Sequence, residues 1–139
     1  MGKRIITQAR GKGSHTYRVR KKAFRYKLQY PPKLNGEGTV IKLFNSAAHS
    51  SPLAKIKHNN EIFYIPAFKE MFEGQKINFE GKEIKPGNII KLKNIPVKTK
   101  IYNIESRPGD GGIFIKSAGN SAEINKVIDD NIFVLMPSK

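Results

Sequence analysis

The chain has no cysteine and no tryptophan. Without a thiol there is no disulfide staple, no thiolate metal site and no thiol nucleophile, and a reducing compartment becomes the default reading. The longest uninterrupted apolar run, Ile132 to Met136, falls far short of the ~18 residues needed to span a bilayer. The N-terminus lacks the apolar stretch of a secretory signal, so the sequence predicts a soluble, cytoplasmic protein. Histidine is scarce: His15, His49 and His58 have no second His, Cys or carboxylate at ligand spacing, which predicts no metal and no cofactor. Hydrophobic residues make up 38% of the 139, below the usual ~45–50%, and twelve Gly and eight Pro break them into short pieces. A lean core of short strands fits this pattern better than a helical bundle.

One further absence is local. Residues 1–33 contain no Asp or Glu, yet they carry eleven cations: Lys3, Arg4, Arg10, Lys12, Arg18, Arg20, Lys21, Lys22, Arg25, Lys27 and Lys33. That is +11 of the chain's formal +15, because residues 34–139 hold fifteen Lys or Arg against eleven Asp or Glu, a net of +4. Charge packed so densely repels itself, and burying it needs a partner with many fixed negative charges, for which a polyphosphate backbone is the clearest candidate. Tyr17, Phe24, Tyr26 and Tyr30 lie among the cations and can stack on bases. An anionic membrane fits less well, since the apolar positions from Tyr17 to Tyr30 alternate instead of forming one helical stripe. Residues 3–22 show no apolar period and predict a segment disordered when alone. From Phe24 to Tyr30, rings and Leu28 alternate with Arg25, Lys27 and Gln29, which in an extended chain puts apolar groups on one side and polar groups on the other. Pro31-Pro32 ends that pattern.

From Gly36 the chain reads as strands: Thr39 to Phe44, Leu53 to Lys57, Ile62 to Ile65, Lys76 to Phe79 with Glu83 to Lys85, and Ile89 to Leu92. Turn signals separate them, among them Asn45-Ser46, Asn59-Asn60, Glu73-Gly74, Glu80-Gly81 and Pro86-Gly87-Asn88. Only Ala67 to Phe72 could hold a turn of helix. Such a run of strands suggests a small barrel of OB type. A second unit begins after Asn94-Ile95-Pro96, with strands at Lys100 to Glu105, Ile113 to Lys116, Ala122 to Asn125 and Asn131 to Met136. The expected class is all-β: a basic extended arm over 1–35, an OB-type barrel over 36–97, and over 98–139 part of an SH3-like barrel. The apolar run 132–136 predicts an exposed edge that something covers.

Catalytic readings fare badly. Ser14, Ser46, Ser50, Ser51 and Ser121 sit in no nucleophile elbow. Glu61, Glu70, Glu73, Glu80, Glu83, Asp129 and Asp130 fall mostly in turns, where solubility is their plain role. Gly109-Asp110-Gly111-Gly112 lacks the Lys-Ser/Thr of a nucleotide loop and opens into a strand, Ile113-Phe114-Ile115. It reads equally as a long hairpin loop or, with Ser106, Arg107, Lys116, Ser117 and Gly119, as a concave basic surface for an RNA backbone.

With these residues in view, the chain resembles the universal large-subunit ribosomal protein L-two family in its archaeal and eukaryotic form. Met1-Gly2-Lys3-Arg4-Ile5-Ile6 with Gln8 to Ser14 is similar to that family's basic opening. Residues 103–112, Asn-Ile-Glu-Ser-Arg-Pro-Gly-Asp-Gly-Gly, and 117–122, Ser-Ala-Gly-Asn-Ser-Ala, resemble its two most recognisable motifs. Gly38-Thr39-Val40, Pro86-Gly87-Asn88 and Leu92 with Asn94-Ile95-Pro96 are lesser matches. The resemblance implies an OB-type barrel followed by an SH3-like barrel, both folded onto ribosomal RNA near the peptidyl-transferase region, with the arm threading between RNA helices. By carry-over, Ser106 to Gly112 and Lys116 to Ala122 face rRNA, and Lys3, Arg4, Arg10, Lys12, Arg18, Arg20, Lys21, Lys22, Arg25 and Lys27 contact it from the arm. Implied partners are large-subunit rRNA and other large-subunit ribosomal proteins. Catalysis is not expected, and a free-standing OB-fold protein for single-stranded nucleic acid is the alternative.

Two departures from the family stand out. Its early-loop His-Asp-Pro followed by Arg is replaced by Asn45-Ser46-Ala47-Ala48-His49-Ser50-Ser51-Pro52, which keeps only the Ser and Pro. Family members also continue past the position of Lys139, completing the second barrel and adding a Gly-, Arg- and His-rich tail. The sequence therefore suggests a fragment or a split gene, with a second chain supplying the rest.

Overall fold

Alternation of apolar and polar residues between Gly36 and Phe79 generates four strands. They are β1 (Gly36–Phe44), β2 (Leu53–His58), β3 (Glu61–Pro66) and β4 (Lys76–Phe79). The computed structural model describes residues 2, 7, 12–79, 81, 83–129 and 131–138, so Lys3, Arg4 and Arg10 lie outside the described residues, as do eight of the twenty residues 3–22 expected to be disordered. The four strands form one antiparallel sheet in the order β3-β2-β1-β4. A tight turn at Asn59-Asn60 joins β2 to β3 and sets the register His58↔Glu61, with Asn59 at φ 52, a left-handed geometry that asparagine tolerates better than most side chains. Between Val40 and Lys42 the β1–β2 register shifts, and the bulge turns Ile41 out to solvent.

One face of this sheet makes the core. Val40, Ala54, Ile56, Phe63, Ile65, Met71, Ile77 and Phe79 are buried together, with Leu34, Leu43, Phe68 and Ile89 packed at the margin. Gly38 faces into this cluster, where Phe79 Cζ lies 2.5 Å from the position a Cβ would take. His58 ends β2 inside the core, edge-on to Phe79, and its Nε2 donates to the Asn35 carbonyl at 2.6 Å.

The second unit is a three-stranded antiparallel sheet, β5 (Lys100–Ile101), β6 (Ala122–Ile128) and β7 (Asn131–Leu135), in the order β5-β6-β7. Ala122 and Ile124 are its buried anchors, whereas Val127, Ile128, Phe133 and Leu135 are exposed, and among the described residues β7 has no strand on its outer side. The chain is thus all-β, as its composition and periodicity predict.

Three local expectations are corrected. Residues 67–72 form turns and no helix, closed by an N–H from Met71 to the Phe68 carbonyl. Gln75 occupies the space between that turn and the strands, accepting from the Phe72 N–H and donating to the Pro86 carbonyl, so local polar contacts replace a helical ladder. The expected strand 89–92 shrinks to a single parallel bridge between Ile89 and Phe79, after which Leu92–Asn94 form a 3-10 turn. In the second unit, the expected strands 100–105 and 113–116 shorten to β5 and an isolated Ile104–Phe114 bridge, because Asn103 at φ 50 and Ile115 at φ 56 break the extended geometry on both sides.

Because Phe79 is itself buried, Gly38→Ala forces ring and backbone to shift apart and should destabilise the protein by about 1–3 kcal/mol. Chemical denaturation checks this; an unchanged midpoint would show that the sheet yields at that point without cost.

Candidate nucleic-acid interface

The alternation expected from Phe24 to Tyr30 holds in part, since Phe24 is exposed and Gln29 partly buried. Tyr26, Leu28 and Tyr30 are partly buried while Arg25 and Lys27 are exposed. Tyr26 packs against Phe44 and Tyr64, with ring centroids 4.7 and 5.0 Å away, so the arm is pinned to the outer face of β1 and β3. Immediately beyond, Leu28 forms a parallel bridge with Tyr64, and the Gln29 N–H donates to the Tyr64 carbonyl at 3.3 Å. Residues 28–30 therefore lengthen the first sheet along the free edge of β3.

The same three residues hold the second unit. The Tyr30 N–H donates to the Gly111 carbonyl at 3.0 Å, the Tyr30 hydroxyl donates to the Asn103 carbonyl at 3.0 Å, and Lys116 Nζ donates to the Leu28 carbonyl at 3.2 Å. Gln29 lies so close to Gly111 that a Cβ there would collide with it, and Gly111 sits at φ 86, so only glycine fits. Burial, with Tyr102 close by, pushes the Tyr30 phenol far above its ordinary value, so it stays a neutral donor. Asn103 is buried against Gly112. A second tie links the early loop of the first unit to the 116–118 segment: Ser51 Oγ donates to the Lys116 carbonyl at 3.2 Å and the Ala118 N–H donates to Ser50 Oγ at 3.4 Å. The 45–52 loop thus joins the two units. His49 sits beside it, with Nδ1 2.9 Å from Ser46 Oγ and the Phe24 ring edge-on at 5.7 Å, and burial plus the Lys116 charge lower its pKa.

The glycine loop is folded around two carboxylates. Asp110 Oδ2 accepts the N–H groups of Ser106 (2.9 Å) and Arg107 (2.8 Å), and its Oδ1 accepts that of Gly112 (3.0 Å). Glu105 accepts from Gly109 at 3.2 Å and from Gly111 at 3.0 Å. Five backbone donors that could cradle a phosphate are already occupied by the loop's own anions. An external anion would meet side chains instead: Arg107, Ser106, Ser117 and Gly119 are exposed, Gly109 is exposed backbone, and Lys116 is half-buried. Gly111 and Gly112 are buried in the seam. Burial lowers the Lys116 pKa, opposed by the neighbouring Asp110.

Among the described arm cations, Lys12, Arg18, Arg20, Lys21, Lys22, Arg25 and Lys27 are all exposed, with Lys21 and Lys22 in a 3-10 turn. Through the Leu28 tie, the end of this arm meets the 106–112 and 116–119 loops on one seam. Sequence reading picked out Arg107, Lys116 and the glycines, and included Asp110 in the 106–112 stretch, but not the bonding roles of Glu105, Asp110, Asn103, Ser50 and Ser51. Asp between glycines was a usable turn signal; nothing local marked the serines. No cluster of three metal-ligating side chains occurs among the described residues.

An all-β chain of two sheets, with a cationic leader stitched into their seam, is the class that fold and surface define. Residues 85–139 match the family of ribosomal proteins L2, C-terminal domain. Across 99% of its length the chain is 40% identical to the large ribosomal subunit protein uL2 of Hyperthermus butylicus, 35% to that of Methanothermobacter thermautotrophicus and 36% to that of Cenarchaeum symbiosum. It spans 59–61% of the length of these relatives. Over its whole length the chain is similar to the ribosomal protein L2 family. All three relatives are large ribosomal subunit proteins.

The hydrogen bonds to Asp110 carry a pH signature. Desolvation pushes its pKa up, but the N–H groups of Arg107, Gly112 and Ser106, with Lys116 nearby, outweigh this and hold it below the ordinary 3.8. A carboxyl lowered on folding contributes stability that is present above its ordinary pKa and is lost as pH falls through the lower folded value. The amide resonances of Ser106, Arg107 and Gly112 should therefore move together with a midpoint below 3.8 in an NMR titration. A midpoint at or above that value would contradict the loop geometry.

Proposed function

We propose that the chain is a structural constituent of the large ribosomal subunit that binds rRNA and supports the peptidyl-transferase region during translation. It works by contact, with phosphate bonds positioning it and RNA shape choosing its docking site. The observation that carries this reading is the seam: residues 28–30 bond to both sheets, so the C-terminal end of the cationic arm is held beside the segments that carry the exposed Arg107, Ser117 and Gly119. Lys3, Arg4, Arg10, Lys12, Arg18, Arg20, Lys21, Lys22, Arg25 and Lys27 would neutralise phosphates along the arm. Ser106, Arg107, Gly109, Lys116, Ser117 and Gly119 would line the docking face, and Gly111 and Gly112 would hold its backbone in shape. A cytoplasmic ribosome is the implied location, with other large-subunit proteins as neighbours. The exposed Phe133 and Leu135 beside the free edge of β7 fit a covering of further polypeptide, and a second chain able to supply it would be a partner.

Two measurements test the reading. Binding of large-subunit rRNA should weaken steeply with salt, each phosphate neutralised contributing about −0.7 to −0.9 to the log-log slope by analogy with DNA. Deleting residues 1–22 removes eight cations while leaving the 28–30 strand in place, and should flatten the slope by several units; an unchanged slope excludes the arm. Arg107→Ala should weaken rRNA binding about tenfold with no change in melting temperature, since its side chain is exposed and only its backbone holds the loop. Unfolding of that variant would mean that Arg107 serves the fold.

A further inference from the structure

A cleft of about 370 Å³ opens where the end of the arm runs beside β3, lined by Lys27, Tyr30, Pro32, Glu61, Ile62 and Tyr64 among others. Its size is at the low end of small-ligand sites and suits one planar group better than a helix groove. Two walls are held rigidly. Tyr64 is wedged by Tyr26 and Phe44, with centroids 5.0 and 6.0 Å away, and Tyr30 is fixed through its hydroxyl to the second unit. Pro31 and Pro32 restrict the backbone of the third wall through their fixed φ. The remaining wall is Ile62, which lies on β3 beside the arm and is 50% exposed, an apolar surface left open at the mouth of a rigid recess.

The surroundings decide what enters. Lys27 lines the cleft and Arg25 and Lys33 flank the lining segment in sequence; all three are exposed, and none makes an ion pair with a described residue. A small, mostly apolar recess with Lys27 on its wall is matched by a nucleobase together with its own phosphate. We propose that this cleft receives one unstacked base of RNA, with the base against Ile62 and Tyr64 and the adjoining phosphate at Lys27. Glu61 at the rim can accept a hydrogen bond from an exocyclic amine, which makes adenine a suitable probe. The inference rests on the RNA-binding reading above and sharpens it: the arm supplies affinity for any phosphate backbone, and the cleft selects a place where a base is turned out of its helix.

The test uses the full chain and three RNAs: octa-adenylate, an abasic ribose-phosphate octamer and a short duplex. Octa-adenylate should bind at least about fivefold more tightly than the abasic octamer and should shift the Ile62 methyl resonances, which the abasic octamer leaves in place. Ile62→Ser should abolish the preference for octa-adenylate, Ile62→Phe should retain it, and both should leave duplex binding unchanged. Because Ile62 is exposed, neither change threatens the core, and matched thermal melts verify this. Equal binding of octa-adenylate and the abasic octamer, or a preference that survives Ile62→Ser, overturns the cleft. In that case intact duplex binding keeps the broader reading standing. If none of the three RNAs binds at low salt, both fail together.

Discussion

Residues 28–30 are bonded from both sides, and the arrangement of the rest follows from this. One backbone N–H, from Gln29, goes to β3, while the next, from Tyr30, goes to Gly111 of the second unit. A short strand that satisfies two partners leaves neither sheet free to turn relative to the other without breaking buried polar contacts. The ties from Tyr30 to Asn103 and from Lys116 to Leu28 add side-chain bonds across the same seam. Glycine at 111 is what permits the approach, since any side chain there would meet Gln29. The arm is therefore anchored at its C-terminal end, and its cations project from a fixed point.

The loop at 105–112 shows how a basic protein prepares a surface without itself becoming an anion trap. Its backbone donors turn inward to Glu105 and Asp110, so the loop keeps its shape before any ligand arrives. Positive charge is then presented by side chains, chiefly Arg107, whose guanidinium suits bidentate contact with phosphate. Lys116 has a divided role, because its ammonium ties down the arm while its carbonyl receives Ser51. Fixed shape with outward charge is what docking by phosphate contacts requires.

Much of this was legible in the sequence where one physical signal dominated. Charge asymmetry marked the arm, period-two alternation marked β1 to β3, and the apolar run at 132–136 marked the exposed edge of β7. Legibility failed where tertiary geometry decided. The strand at 89–92 was cut to one bridge, and the strands flanking the glycine loop were broken at Asn103 and Ile115 by positive φ, which Ile115 in particular gave no reason to expect. Ser50 and Ser51 read as plain loop residues because their partners lie 65 or more positions away. The body also begins earlier in space than the Pro31-Pro32 signal implies, since Leu28 is already part of the first sheet's edge.

The central claim is that arm and loops form one surface applied to one region of rRNA. Ultraviolet cross-linking of native large subunits, with each attached nucleotide mapped by mass spectrometry, tests it most directly. The account predicts that residues 24–27, Arg107 and Ser117 attach to nucleotides that neighbour one another in the folded rRNA. Attachment of these residues to widely separated nucleotides, or no attachment while the protein sits on the particle, would contradict it.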